Sequence, residues 1–174
     1  MKKFLTAGAA LVGFGLSNLA LAHDGTITIT GHVSSSTCTI TTQNDQTVTL
    51  DPVSQSSLGP GQNAGFKPFP ISVSKCAAGT KVKAKFELDS SVNPVDGTLK
   101  NLVKGADASN VAIQLFNKDR EPINLFSGAN NNEEVAGGTG DVTLGFFAAY
   151  LAPVGEAVKP GDVSTQVTYT MSYE

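Results

Sequence analysis

Cys38 and Cys76 are the only cysteines in this chain of 174 residues, and a lone pair has two common fates, a disulfide or half of a metal site. Zinc needs further nitrogen or sulfur ligands, and the two histidines, His23 and His32, lie at no recognisable ligand spacing, so no metal is expected. The other reactive residue types are poorly arranged for catalysis. The sequence contains no G-x-S-x-G elbow, no H-E-x-x-H pair and no P-loop. Gly137-Gly138-Thr139-Gly140-Asp141 is glycine-rich, yet neither a lysine nor a helical pattern follows to cradle a phosphate, so it reads as a flexible loop. Glu133 and Glu134 are neighbours, and neighbours on a strand point to opposite faces, which argues against a carboxylate pair working on one bond. His32 reads as an outward strand residue rather than a base. Neither an enzyme activity nor a cofactor is expected.

The compartment selects between the two fates of the cysteines. Lys2 and Lys3 precede an apolar run from Phe4 to Ala22 that ends in Ala20-Leu21-Ala22, the pattern of a cleavable export signal over residues 1–22. A retained membrane anchor is the alternative; the run is short for a span and is thinned by Gly8, Gly13 and Gly15. In an oxidising compartment a Cys38–Cys76 disulfide is expected, and on the chain-entropy account it contributes about 4 kcal/mol. Removal of 22 residues from 174 leaves 152, beginning at His23, enough for one domain with a sizeable core. Without Lys2 and Lys3 the 12 basic residues fall to 10 against 15 acidic ones, a formal charge of −5 with no long run of either sign, so nucleic acid is not an expected partner.

The elements that would position any site are strands. Apolar residues recur at period two: Val48 and Leu50; Phe69, Ile71 and Val73; Val82, Ala84, Phe86 and Leu88 against Lys81, Lys83, Lys85 and Glu87; Val111, Ile113 and Leu115; Val142, Leu144 and Phe146. Turn-rich stretches separate them at Leu58 to Gly65, at Asn93 to Gly97 and at Ser127 to Asp141, the last read as a mobile surface loop. Leu99, Leu102 and Val103 suggest one helical turn. About seven strands at this spacing imply an all-β sandwich.

Two strand patterns stand at the ends of the processed chain. Val163, Thr165, Val167, Tyr169, Met171 and Tyr173 share one parity, and the pattern runs to the last residue, so no later strand in the sequence pairs with its far side. So long an apolar edge invites aggregation unless covered. At the other end Gly25, Ile27, Ile29, Gly31 and Val33 share one face, outside the loop closed by the cysteines. On the residues alone, this segment is either an ordinary first strand of its own sandwich or a strand free to leave it.

The set resembles the chaperone-usher pilins, the subunits of type 1 and related fimbriae, over nearly the whole processed chain. The resemblance is carried by Gly25 to Val33 leading into Cys38, by Cys76 after Phe69-Pro70-Ile71-Ser72-Val73, by Val111-Ala112-Ile113-Gln114-Leu115 and Phe147-Ala148-Ala149-Tyr150, and most specifically by Gly161 followed by alternating apolar residues to a penultimate Tyr173. It implies an incomplete immunoglobulin-like sandwich lacking its last strand, with 23–33 a donor extension and 34–174 the pilin domain. The C-terminal strand from Gly161 would line an acceptor groove, filled first by a periplasmic chaperone and then, at an outer-membrane usher, by another subunit's donor strand. Export to the cell surface as part of a fimbria follows. The expected role is structural, supporting adhesion, with a minor adaptor or a directly adhesive subunit binding a host glycan or protein receptor as the alternative. Only His23 and Asp24 precede Gly25, a shorter extension than in relatives of this kind.

Overall fold

The computed structural model describes residues 28–30, 38–43 and 45–174. By its contacts the chain divides into Met1–Val33 and Ser34–Glu174. The second unit is all-β. Among the described residues its strands are β1 (Thr39–Ile40), β2 (Asn63–Ser74), β3 (Lys81–Phe86), β4 (Ala112–Phe116), β5 (Glu133–Val135), β6 (Val142–Leu151) and β7 (Tyr169–Tyr173), and one 3-10 turn, Gln55–Ser57, is capped by the Ser54 hydroxyl. One sheet has the order β1-β2-β6-β4 and the other β5-β3-β7, with every pairing antiparallel.

Alternation in the sequence sets the layers. Ile71 and Val73 of β2, Ile113 and Leu115 of β4, and Leu144 and Phe146 of β6 point from the first sheet into the core, where Val82 and Ala84 of β3 meet them. Phe146 is 1 % exposed, with its ring stacked at 5.5 Å on Phe69 and edge-on at 5.5 Å to Phe86. Such offset and T-shaped pairs add to the burial term. The disulfide joins Cys38 to Cys76, tying the start of β1 to the chain just past β2.

Three details differ from the sequence reading. Leu99 is not helical: it exchanges both backbone hydrogen bonds with Ile113, each 2.8 Å, and Leu102 N donates to Ser164 O, so the segment runs extended between β4 and the C-terminal stretch. The stretch from Ser127 to Asp141 holds β5, and its polarity is misleading because Glu133 pairs with Lys81 at 3.2 Å and Glu134 with Lys118 at 2.6 Å, on opposite faces. Leu88 is 55 % exposed because β3 ends at Phe86 and the chain turns at Asp89, whose carboxylate accepts from Ser91 N.

Candidate strand-acceptor groove

Lys81 and Glu174 exchange both backbone hydrogen bonds, at 2.7 and 2.9 Å. In an antiparallel pair such rungs alternate with non-bonded pairs. With the register Val82↔Tyr173 to Phe86↔Tyr169, the bonded rungs therefore fall on Ser172 and Thr170, and Glu87 N to Thr168 O at 2.9 Å continues them. Beyond β3 the same parity holds: the Ser91 hydroxyl donates to Gln166 O, Leu102 N to Ser164 O and Ser109 N to Asp162 O. Even-numbered residues from 162 to 174 thus spend their backbone groups on one side. Val163, Thr165, Val167, Tyr169, Met171 and Tyr173 turn theirs to the other, where no described residue meets them. Their side chains lie against the core yet are only half-buried.

A second stretch packs on the same core and meets this edge at its upstream end. Val48, Leu50 and Val53 are half-buried while Thr47, Thr49 and Asp51 are exposed, the alternation of a strand. Yet residues 46–53 make no backbone hydrogen bond to another described residue, and β1 stops at Ile40. Gly65, at φ 72°, lets this bank approach, since a Cβ there would lie 3.0 Å from both Val53 and Tyr150. Phe69, Phe86 and Tyr150 form the half-buried floor. At the upstream end the banks share a cavity of about 330 Å³ lined by Val53, Leu58, Val111, Tyr150, Gly161 and Val163.

Polar groups within the trough are few. Burial, and then the neighbouring Tyr169, raise the Tyr173 phenol above its ordinary value; burial, and then the Asp51 charge, do the same for Tyr150. Thr165 Oγ1 and Tyr169 OH are buried without a hydrogen-bond partner among the described residues. No group of metal-ligating side chains occurs among those residues. An unpaired ladder edge over a half-covered apolar trough is chemistry for binding an extended strand: main-chain hydrogen bonds along the edge, and side-chain burial below it.

The model of the fimbrial protein family matches residues 27–174. The chain belongs to the fimbrial protein family. It is similar to the major fimbrial subunit SMF-1 of Stenotrophomonas maltophilia, 39% identical over 163 residues that cover 88% of this chain and 95% of the relative. The F17 fimbrial protein of Escherichia coli is 37% identical, with 91% and 92% covered. In fold it is similar to the P pilus rod subunit PapA, with a TM-score of 0.59 at 21% identity, covering 79% of this chain and 99% of that one. The family is one of structural subunits, and this chain is a fimbrial subunit displayed at the cell surface.

Within the fimbrial subunit the residues singled out in the sequence fall as follows. Val163 to Tyr173 form one bank of the trough. Gly161 precedes it where the chain crosses 107–109 so closely that a Cβ would lie 2.3 Å from Asp107 O. Cys38 and Cys76 are bonded. Ile29 is 90 % exposed, and Gly25, Ile27, Gly31 and Val33 lie outside the described residues. The sequence reading missed Asn101. Its Nδ2 donates to Ser109 O and Asp162 O at 2.9 and 2.8 Å, and its Oδ1 accepts from Val103 N and Ser164 N at 3.1 and 3.0 Å. That one side chain fixes the start of the C-terminal bank, and no local pattern marks it, because its partners lie as far as 63 residues away. The 46–53 bank was visible only as the pair Val48 and Leu50.

Proposed function

We propose that this chain is a structural fimbrial subunit that polymerises by inserting residues 25–33 of one copy into the groove between residues 46–53 and 163–173 of the next. The observation supporting this reading is the parity of the C-terminal stretch: six consecutive odd-numbered residues present unspent backbone groups above half-buried side chains. The lengths agree. Nine donor residues extend about 30 Å, and the eleven residues of the acceptor bank about 36 Å, at roughly 3.3 Å per residue.

Burial of Ile27, Ile29 and Val33 contributes about 1.5 to 3 kcal/mol each, and each main-chain hydrogen bond roughly 0.5 to 1.5 kcal/mol net. The gross gain is on the order of 10 kcal/mol before the cost of ordering the donor. Donor and acceptor are different surfaces of one subunit, so the contact is heterologous and propagates into a fibre. Until another subunit arrives, the same edge suits a strand lent by a periplasmic chaperone, with exchange at an outer-membrane usher. A structural role fits a trough lined mainly by apolar side chains and phenol or hydroxyl groups, with Gln55 and Asp162 at the rim of its upstream cavity.

The test is deletion of residues 23–33 from the processed chain. Oligomers that resist denaturant are expected from the parent and not from the deletion, because release of a strand that belongs to the fold requires crossing an unfolding barrier. Unchanged oligomers after the deletion refute the reading.

A further inference from the structure

β1 runs along β2 in a register that makes Thr39 opposite Ser74 and Ile40 opposite Val73. Even-numbered residues of β2 turn their backbone toward this neighbour: Thr41 N donates to Ser72 O at 2.9 Å, and Ser72 N donates to the Thr42 hydroxyl at 2.5 Å. Continued in that register, the next two bonded rungs would set residue 43 against Pro70 and residue 45 against Pro68. Proline has no N–H to give. The ladder is already loosened at Ser72, whose N–H goes to a side chain, and at the prolines it does not resume. Pro70 O takes the Gln46 side-chain amide at 2.7 Å instead, and a cavity of about 290 Å³ opens between Gln43 and Gln46–Thr49 on one side and Lys67–Pro70 on the other. Toward β6 the same two prolines occupy positions opposite Phe147 and Gly145, pairs that need no β2 donor, so the β2–β6 ladder is undisturbed.

We propose that Pro68 and Pro70 are positioning residues for strand capture: a ladder stop that forces residues 46–53 off β2 and keeps their backbone groups available as the second bank of the groove. The proposal rests on the strand-acceptor reading above. A valine at either position would restore a donor and favour a strand. The zipper that begins beside the Cys38–Cys76 bond would then run on past residue 43, and the bank would close onto β2 before a donor strand could use it.

The test compares the full processed chain with its Pro68→Val/Pro70→Val variant and with Pro94→Val, a control in an exposed turn, by amide hydrogen exchange and by the rate of fibre formation. In the parent, amides of 46–53 are expected to exchange freely in the monomer and to become protected in the fibre. In the double variant, residues 43, 45, 68 and 70 gain about tenfold protection in the monomer, and fibres form about tenfold more slowly, the effect of roughly two restored hydrogen bonds. The control matches the parent. Parent-like exchange and assembly in the double variant overturn the proposal, as does a parent monomer whose 46–53 amides are already protected. If the double variant does not fold, Pro70→Val alone decides: protection at residue 43 with slower assembly supports the stop, and parent-like behaviour in both overturns it. Failure of the strand-acceptor reading looks different, since fibres of the parent would then leave the odd-numbered amides of 163–173 unprotected.

Discussion

Asn101→Ala removes four hydrogen bonds from the start of the C-terminal bank, two from Nδ2 to the carbonyls of Ser109 and Asp162 and two accepted by Oδ1 from Val103 N and Ser164 N. At roughly 0.5 to 1.5 kcal/mol net apiece the gross loss is about 2 to 6 kcal/mol. Two of the four lie in exposed surroundings where water replaces the lost partner, so the expected loss is about 2 to 3 kcal/mol. Asn101→Asp keeps both acceptor bonds but sets a carboxylate against two carbonyls, and it is expected to cost at least as much as alanine despite its near-identical shape. The assay is urea unfolding of the subunit complexed with a peptide of residues 23–33. A parallel measurement of peptide release should show faster loss from both variants, because Ser164 and Asp162 set the position of the groove edge. An alanine variant within about 0.5 kcal/mol of the parent, or an aspartate variant more stable than the alanine one, refutes the view that this side chain clamps the strand.

Gly161→Ala places a Cβ 2.3 Å from Asp107 O and 2.7 Å from Ser109 N, both backbone atoms, and is expected to lose about 1 to 3 kcal/mol and to slow fibre formation, read by the same unfolding curves and by electron microscopy. Phe146→Ala empties the centre of the aromatic stack with Phe69 and Phe86 and is expected to cost about 3 to 5 kcal/mol, seen as loss of soluble subunit from periplasmic extracts. Cys38→Ser opens a loop of 38 residues and should lower stability by about 4 kcal/mol, with reduction of the parent by dithiothreitol giving the same unfolding midpoint. Stability against pH should show two limbs. The Ser91 hydroxyl and amide hold the Asp89 carboxyl below its ordinary 3.8, so its contribution is present above that value and is lost as pH falls through the lowered one; Asp89→Asn should flatten this acid limb. Tyr173 and Tyr150 are raised above 10.0 by burial, so the folded state holds their protons more tightly, and stability should decline as pH rises past 10.

Much of this architecture is legible because period two is a direct consequence of strand geometry. Ile71 and Val73, Val82 and Ala84, and Leu144 and Phe146 each share a parity in the sequence, and in the fold they meet in one interior. The parity of Val163 to Tyr173 was equally plain. What alternation cannot give is hydrogen-bond partnership: Val48 and Leu50 look like any strand in the sequence, and only β2's backbone direction shows that Pro68 and Pro70 leave them without a ladder. β5 hid in a glycine-rich, acidic stretch because Lys81 and Lys118, distant in sequence, supply the charges that settle it. Asn101 was invisible for the same reason, its energy lying in long-range main-chain contacts.

The sulfur bridge at the root of β1 bears on how a fibre of such subunits answers tension. If residues 25–33 are held in the next subunit, as proposed above, a pull along the filament enters each domain through the chain that leads to Cys38. There the covalent link carries it across to Cys76 and so to the end of β2, bypassing the two-residue β1. β2 is bonded to β6 from Asn63 to Val73, and a load that runs along this ladder requires many rungs to yield together rather than one after another. A reduced fibre would instead peel from β1 inward, and the difference between those two modes is a rupture force that optical tweezers can read.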